Sequence, residues 1–273
     1  LEEWENMKDI RVVVVEDDPF ARNWTAMLLV RDWRTHLAGE LNAKTDVLPY
    51  LKQLAEKVDL ILLDVDHFGE RPGSGMDIRK LAEGLKPGVR ILLTGIHPQE
   101  HILQQTQNEH VCGYILKGEI SNSMVWAVSM AMEGRWISTP GVEDLAGELC
   151  FRLPPNRVCI NGHTPIYDFT PREVAAARLA FLFSMERRDL ADEMSITENW
   201  TYGLVSGIYK KLGLEELLNG EIEARERLGD NPLALSHLQQ IMDELNATAS
   251  GKARDMETLA FHVMTMPEME FFP

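Results

Sequence analysis

The chain has 273 residues, long for one average domain and comfortable for two. With 45% hydrophobic and 26% charged residues, its composition is that of a folded globular protein and excludes a largely disordered one. The formal net charge of -16 opposes casual binding to nucleic acid, because phosphate contacts supply most non-specific affinity. From residue 9 to about 135, apolar strand-sized runs alternate with amphipathic helical stretches, which reads as βαβ units around a parallel sheet. The predicted strands are Ile10–Val15, Thr35–Glu40, Leu60–Asp64, Arg90–Thr94 and Cys112–Leu116, with helices starting near Pro19, Asp46, Met76, Pro98 and Ser121. Five strands and five helices predict a flavodoxin-like, doubly wound α/β domain over 9–139, with its ligand site at the carboxyl ends of the strands.

Pro140 to Asp168 carries Gly141, Pro154, Pro155, Gly162 and Pro165 and reads as an interdomain linker, with a short helix over Val142 to Phe151. Beyond Thr170-Pro171 the period turns helical: Arg172 to Ser184, Arg187 to Met194, then Thr197 to Leu212, stopped by Gly213. This predicts an all-α domain over 169–214, followed by an acidic helical extension over 215–273. The extension holds twelve acidic groups against four basic ones, whereas 169–214 holds six of each. Its Met-rich end, with Met256, Met264, Met266 and Met269, is expected to pack into a core.

No apolar run approaches the roughly 20 residues of a membrane span. Leu1-Glu2-Glu3-Trp4-Glu5 lacks the basic start and apolar middle of a signal peptide, so a cytoplasmic location without membrane contact is expected. Cys112, Cys150 and Cys159 include no CxxC pair and are expected to be small buried residues.

Four residue sets fall at successive strand ends: Glu16 and Asp17, then Asp64, then Thr94, then Lys117. Carboxylates converging on one crevice repel one another unless a hard cation neutralises them, and oxygen ligands of this kind suit Mg²⁺. Glu16, Asp17 and Asp64 would hold the metal, with the Asp66 backbone carbonyl as a further ligand. Asp64 is placed as a nucleophile toward phosphorus, Thr94 as a donor to a phosphoryl oxygen, and Lys117 as the cation that pairs with the new charge.

These residues stand in Val-Glu-Asp-Asp-Pro (15–19), Leu-Leu-Asp-Val-Asp (62–66), Leu-Leu-Thr-Gly (92–95) and Gly-Tyr-Ile-Leu-Lys-Gly-Glu (113–119). Over 9–139 the sequence resembles the receiver domains of two-component response regulators. The resemblance implies phosphorylation of Asp64 by a sensor histidine kinase and a switch in which Tyr114 follows Thr94. The loop from His67 to Gly75 is longer than receivers usually carry and lacks their Pro.

Phe169-Thr170-Pro171-Arg172-Glu173 and Ile208-Tyr209-Lys210-Lys211-Leu212-Gly213 resemble the opening and ending of LuxR-type helix-turn-helix domains. Together the two halves resemble the NarL/FixJ architecture, which implies transcriptional regulation and a homodimer on DNA. The recognition helix departs from that pattern: its Lys and His positions hold Tyr202 and Leu204, beside Trp200. Such a face weakens the DNA reading, leaving Lys210 and Lys211, with Arg187 and Arg188, for phosphate contacts. The alternative is a protein partner bound through residues 200–273, for which aromatic anchors are suited. No Ser-His-Asp set or P-loop is present, and the chain is not read as a substrate-turning enzyme.

Overall fold

The computed structural model describes residues 10–42, 47–54, 57–66, 78–162, 169–218, 232–244 and 253–273. The enlarged loop 67–75 and the predicted starts at Asp46 and Met76 lie outside the described residues. The chain divides into two compact units, one of residues 1–162 with 269–273, the other of residues 163–268.

The first unit is built on one sheet. Its strands are β1 (Ile10–Val15), β2 (Thr35–Leu41), β3 (Leu60–Asp64), β4 (Arg90–Gly95), β5 (Val111–Leu116), β6 (Trp136–Ser138), β7 (Arg157–Ile160) and β8 (Met269–Phe272). Their spatial order is β2-β1-β3-β4-β5-β6-β7-β8, with every neighbouring pair parallel except β7 and β8. The helices are α1 (Pro19–Arg31), α2 (Val47–Gln53), α3 (Ile78–Glu83), α4 (Glu100–Gln105), the single turn α5 (Lys117–Ile120), α6 (Met124–Met132) and α7 (Pro140–Glu148). The central strands read as near-continuous apolar runs because helices cover both faces, and β3 and β5 are buried along their whole length.

The five predicted strands are present within a residue at each end, but the sheet has eight, and two boundaries need correction. The segment read as a linker, 140–168, holds α7 and β7, both within the first unit. Pro154 and Pro155 stand in the loop between α7 and β7 and Gly162 just after β7, whereas Pro140 and Gly141 open α7 itself. The strand Arg157–Ile160 is too brief for its period to stand out.

The tail is not wholly helical either, since its last residues return as β8 and pair antiparallel with β7 from Arg157↔Phe272 to Ile160↔Met269. Arg157 lies 4.0 Å from the Phe272 ring centroid and Arg135 4.9 Å from that of Phe271, so two cations seat the aromatic side chains.

The added strands also buttress the predicted receiver. Gly113 pairs with Ile137, and a Cβ at 113 would stand 2.4 Å from the Ile137 carbonyl oxygen, so only glycine lets β5 and β6 approach. Leu116 N donates to Thr139 Oγ1 at 3.1 Å, and Gly141 N donates to the Glu119 carboxylate at 3.0 Å. The strand end that carries Lys117 is thereby fixed from beyond residue 135. Cys112 and Cys159 are buried as expected, whereas Cys150 is exposed, at a positive φ just after α7.

The second unit contains α8 (Pro171–Ala177), continued as one π-turn over Arg178–Leu182, then α9 (Arg187–Glu193), α10 (Glu198–Lys211), α11 (Leu214–Leu218), α12 (Pro232–Glu244) and α13 (Ala253–Thr265). Thr170 and Glu173 form a capping box at the start of α8, with Pro171 in its first turn. The turn between α9 and α10 places Ser195 at φ 53°. Phe181 stacks on Tyr209 at 5.3 Å between ring centroids, joining the π-turn to α10. Met264 and Met266 are buried, so core packing is the use of that part of the Met-rich end.

Deleting residues 269–273 leaves the edge of β7 unpaired and is expected to lower the thermal midpoint of the first unit by several degrees, for a loss of about 1–3 kcal/mol. Calorimetry of the full and shortened chains measures this, and an unchanged midpoint would show that β8 adds no stability. In the second unit, the hydrogen bond from Lys211 and the Thr170 cap hold the Glu173 carboxyl down to about 2. A depressed carboxyl stabilises the fold above its ordinary range and loses that contribution as pH falls through the folded value. Glu173→Gln is therefore expected to melt earlier than the parent above pH ~4.5, the gap closing toward pH ~2.

Candidate functional site

At the carboxyl ends of the central strands, four carboxylates and one ammonium share a small volume. Asp64 ends β3 and is buried, as β3 and β4 pair in register with Asp64 opposite Thr94. Glu16 follows β1 and is also buried. Lys117 begins the turn after β5, and its Nζ lies 2.7 Å from Asp64 Oδ1, 2.8 Å from Glu16 Oε2 and 3.0 Å from Asp66 Oδ2.

The third acid of the Glu16-Asp17-Asp18 run has a local task. Asp18 Oδ1 accepts from Phe20 N and Ala21 N and caps α1, while Pro19 begins the helix. The loop is held to α1 by Arg22 Nη1, which donates to the Glu16 carbonyl at 2.8 Å. Ligand atoms of Glu16, Asp17 and Asp64 all lie within 4.8 Å of one another.

Electrostatics sharpens the picture. Burial pushes the Asp64 carboxyl up to about 7, against the pull of Lys117, and the charges of Glu16 and Asp66 push the same way. For Lys117 burial opposes the charge, yet its hydrogen bonds to Asp64 and Glu16 outweigh it and hold the ammonium above its ordinary value. One cation against four carboxylates leaves a surplus of negative charge. Asp64 Oδ2 is buried without a hydrogen-bond partner. An orphaned carboxylate oxygen beside two further oxygen donors fits a hard divalent cation of the Mg²⁺ kind.

Thr94 is buried at the end of β4, and its carbonyl accepts from Val65 N at 2.8 Å. Tyr114 is fully buried on β5, with its hydroxyl donating to the His97 carbonyl at 3.1 Å and accepting from Gln99 N at 3.2 Å. The aromatic side chain thus fastens the β4–α4 loop from below. Beside these groups a cavity of about 200 Å³ runs from Glu16, Thr94 and Lys117 to Trp24, Leu28 and Met124.

The six pocket residues read from sequence, Glu16, Asp17, Asp64, Thr94, Tyr114 and Lys117, are brought together. Sequence reasoning missed the Asp66 side chain, assigning only its backbone carbonyl. Its carboxylate joins the Lys117 cluster and accepts from Ile96 N at 2.7 Å. The signal was present, because an Asp two residues after a strand-terminal Asp points to the same face.

In the second unit, the face of α10 is open. Trp200 is 64% and Tyr202 56% exposed, Leu204 is half-buried, and Thr201, Val205 and Ile208 turn inward. Among the described residues, no part of the tail buries Trp200 or Tyr202. Two of the four basic candidates are engaged by acids: Lys211 with Glu173 at 2.8 Å and Arg187 with Glu257 of α13 at 2.7 Å. Lys210 and Arg188 are exposed. Among the described residues no helix is long and apolar enough to cross a membrane.

No family model matches the chain. Among curated proteins, a transcriptional regulatory protein named NarL from Mycobacterium tuberculosis is 28% identical over 224 residues, covering 81% of this chain and 96% of that one. The transcriptional regulatory protein LnrK of Bacillus subtilis is 23% identical and covers 76% of this chain and 92% of its own. Among solved structures, the RcsB response regulator of Salmonella typhimurium aligns at 16% identity with a TM-score of 0.44, over 76% of this chain and 93% of that one.

Adding Mg²⁺ is expected to raise the thermal midpoint of the protein, the stabilisation being ~2.7 kcal/mol at a concentration one hundred times the dissociation constant. Glu16→Gln and Asp64→Asn should each abolish most of the gain, and a full Mg²⁺ response in both variants would count against the site. The acidic cluster at the strand ends and the similarity to NarL and LnrK, over 96% and 92% of their lengths, point the same way: the chain resembles response regulators of the NarL/FixJ type, a receiver domain joined to a helix-turn-helix domain.

Proposed function

We propose that the chain is a response regulator, phosphorylated on Asp64 by a sensor histidine kinase and regulating transcription through its helix-turn-helix unit. The observation that carries the reading is the contact of one buried acceptor, Asp64, with Lys117 at 2.7 Å beside two further carboxylates. Asp64 Oδ2, free of hydrogen bonds, attacks the phosphorus of a phosphohistidine. The P–O bond forms as the P–N bond breaks, and the imidazole leaves.

Lys117 pairs with the charge brought by the phosphoryl oxygens, and Thr94 donates its hydroxyl to one of them. Glu16, Asp17 and Asp64, with the Asp66 backbone carbonyl, are the residues that would hold Mg²⁺. When bound, the metal supplies positive charge that offsets repulsion between acceptor and phosphoryl group. Tyr114, fastened to the β4–α4 loop, carries the change at Thr94 to the surface of the unit. The acting form is expected to be a homodimer, since operators for such domains are commonly two-fold repeats.

A second reading is favoured by the exposed aromatic side chains of α10. Trp200, with Leu204 beside it, and Tyr202, about 200° farther round the helix, are separate anchors suited to a protein partner, with Lys210 and Lys211 at the helix end. The acidic extension supports it, since Glu257 already occupies Arg187, one of the cations that DNA would need.

Two measurements test the proposal. Intact-mass analysis after treatment with a small phosphodonor and Mg²⁺ should show one phosphoryl group added to the parent and none to Asp64→Asn. DNA binding over a salt series, with and without beryllofluoride, should be salt-sensitive and strengthened by the mimic, with log K falling by about 0.9 per phosphate contact per unit of log salt. No binding in either state at low salt would transfer the output to a protein partner of the α10 face.

A further inference from the structure

Lys117 has three N–H donors, and three carboxylates already take them: Asp64, Glu16 and Asp66. A phosphoryl group arriving on Asp64 needs that ammonium, so one of the three must give way. Asp64 is the acceptor and Glu16 is a ligand of the metal set, with side chains 1% and 6% exposed. Asp66 is neither through its side chain, and at 15% it is the most exposed of the three.

What Asp66 does with its other oxygen makes the choice informative. Oδ1 accepts from Ile96 N at 2.7 Å, two residues beyond Thr94 at the start of the β4–α4 loop. The fit is close, since a Cβ on Gly95 would stand 3.2 Å from the same oxygen. One carboxylate therefore bridges the charge partner of the phosphoryl group, Lys117, and the backbone of the loop that must respond to it. Farther along that loop, His97 O and Gln99 N are fastened to the Tyr114 hydroxyl. The loop is thus tied down at both ends while Asp64 carries no phosphate.

We propose that the Asp66 carboxylate is a built-in stand-in for the phosphoryl group, a positioning residue that holds Lys117 and the Ile96 amide in the unphosphorylated protein. This rests on the reading of Asp64 as phosphoacceptor. Asp66 weakens the hold of the pocket on a phosphoryl group, because Lys117 must first be released. It also keeps the β4–α4 loop closed before phosphorylation occurs. An Asp at this place thereby lowers the dependence of the loop on phosphate.

The test compares the full-length parent, Asp66→Asn and Asp66→Ala in Mg²⁺, reading beryllofluoride affinity and hydrogen exchange at the Ile96 amide. Asn keeps an acceptor for Ile96 N but turns an amide toward Lys117. Asp66→Asn is therefore expected to bind beryllofluoride about tenfold more tightly, the value of one charge-assisted hydrogen bond, with Ile96 still protected. Asp66→Ala should lose roughly tenfold of the Ile96 protection, and beryllofluoride should restore it. Affinity in Asp66→Asn equal to or below that of the parent overturns the stand-in, as does unchanged Ile96 protection in Asp66→Ala without the mimic. Absence of beryllofluoride binding in all three proteins overturns the acceptor reading and the stand-in together, whereas binding by the parent with no gain in Asp66→Asn overturns the stand-in alone.

Discussion

The ammonium of Lys117, held among Asp64, Glu16 and Asp66, is the interaction around which the first unit is arranged. Carboxylates from two strand ends, Glu16 after β1 and Asp64 and Asp66 at the end of β3, are brought close together, a disposition that repels unless a cation stands between them. The sheet forces the encounter, because β1, β3 and β5 run parallel and deliver their carboxyl ends to one edge. Lys117 offsets only part of the charge, and burial leaves Asp64 with its carboxyl raised and one oxygen without a partner. That residual imbalance fits the pocket to a hard divalent cation and is the ground for the chemistry proposed at Asp64.

The position of Lys117 is in turn secured by residues outside the usual five-stranded core. Thr139 accepts from Leu116 N, and Glu119 accepts from Gly141 N, so β6 and α7 brace the end of β5. Gly162 N donates to the Glu119 carbonyl and Ser123 Oγ to the Gly162 carbonyl, fixing the exit from β7 against the same turn. The final strand then completes the edge. Because β8 follows the helical residues and pairs with β7, the chain leaves the sheet at one strand and re-enters it at the next. The second unit is spliced between two adjacent strands, so it is covalently tied to the sheet through both of its ends.

Within the second unit, charge is distributed unlike that of an ordinary DNA-binding module. Glu257 from α13 engages Arg187 of α9, and Glu173 engages Lys211 at the end of α10. Both pairs remove cations from service toward phosphate, while Trp200 and Tyr202 stand out from the helix face. Each is suited to anchor a partner, which is the ground for the second reading.

The sequence by itself determined the strands from β1 to β5 and the identity of the pocket. Apolar runs such as Leu60–Leu63, closed by a carboxylate, can be read directly, since buried parallel strands leave little else for their residues to be. The capping box at Thr170 and the stop at Gly213 likewise marked the helices by local backbone chemistry. Only the tertiary structure decided that Arg157–Ile160 and Met269–Phe272 are strands, because four-residue segments acquire their conformation from a pairing partner more than a hundred residues away. The same holds for Asp66, whose bond to Ile96 N joins elements thirty residues apart. For Arg187 and Glu257 the separation is seventy residues, and no local period carries a contact of that range. Periodicity and caps are properties of neighbours in the chain, whereas charge pairing and edge pairing are properties of neighbours in space.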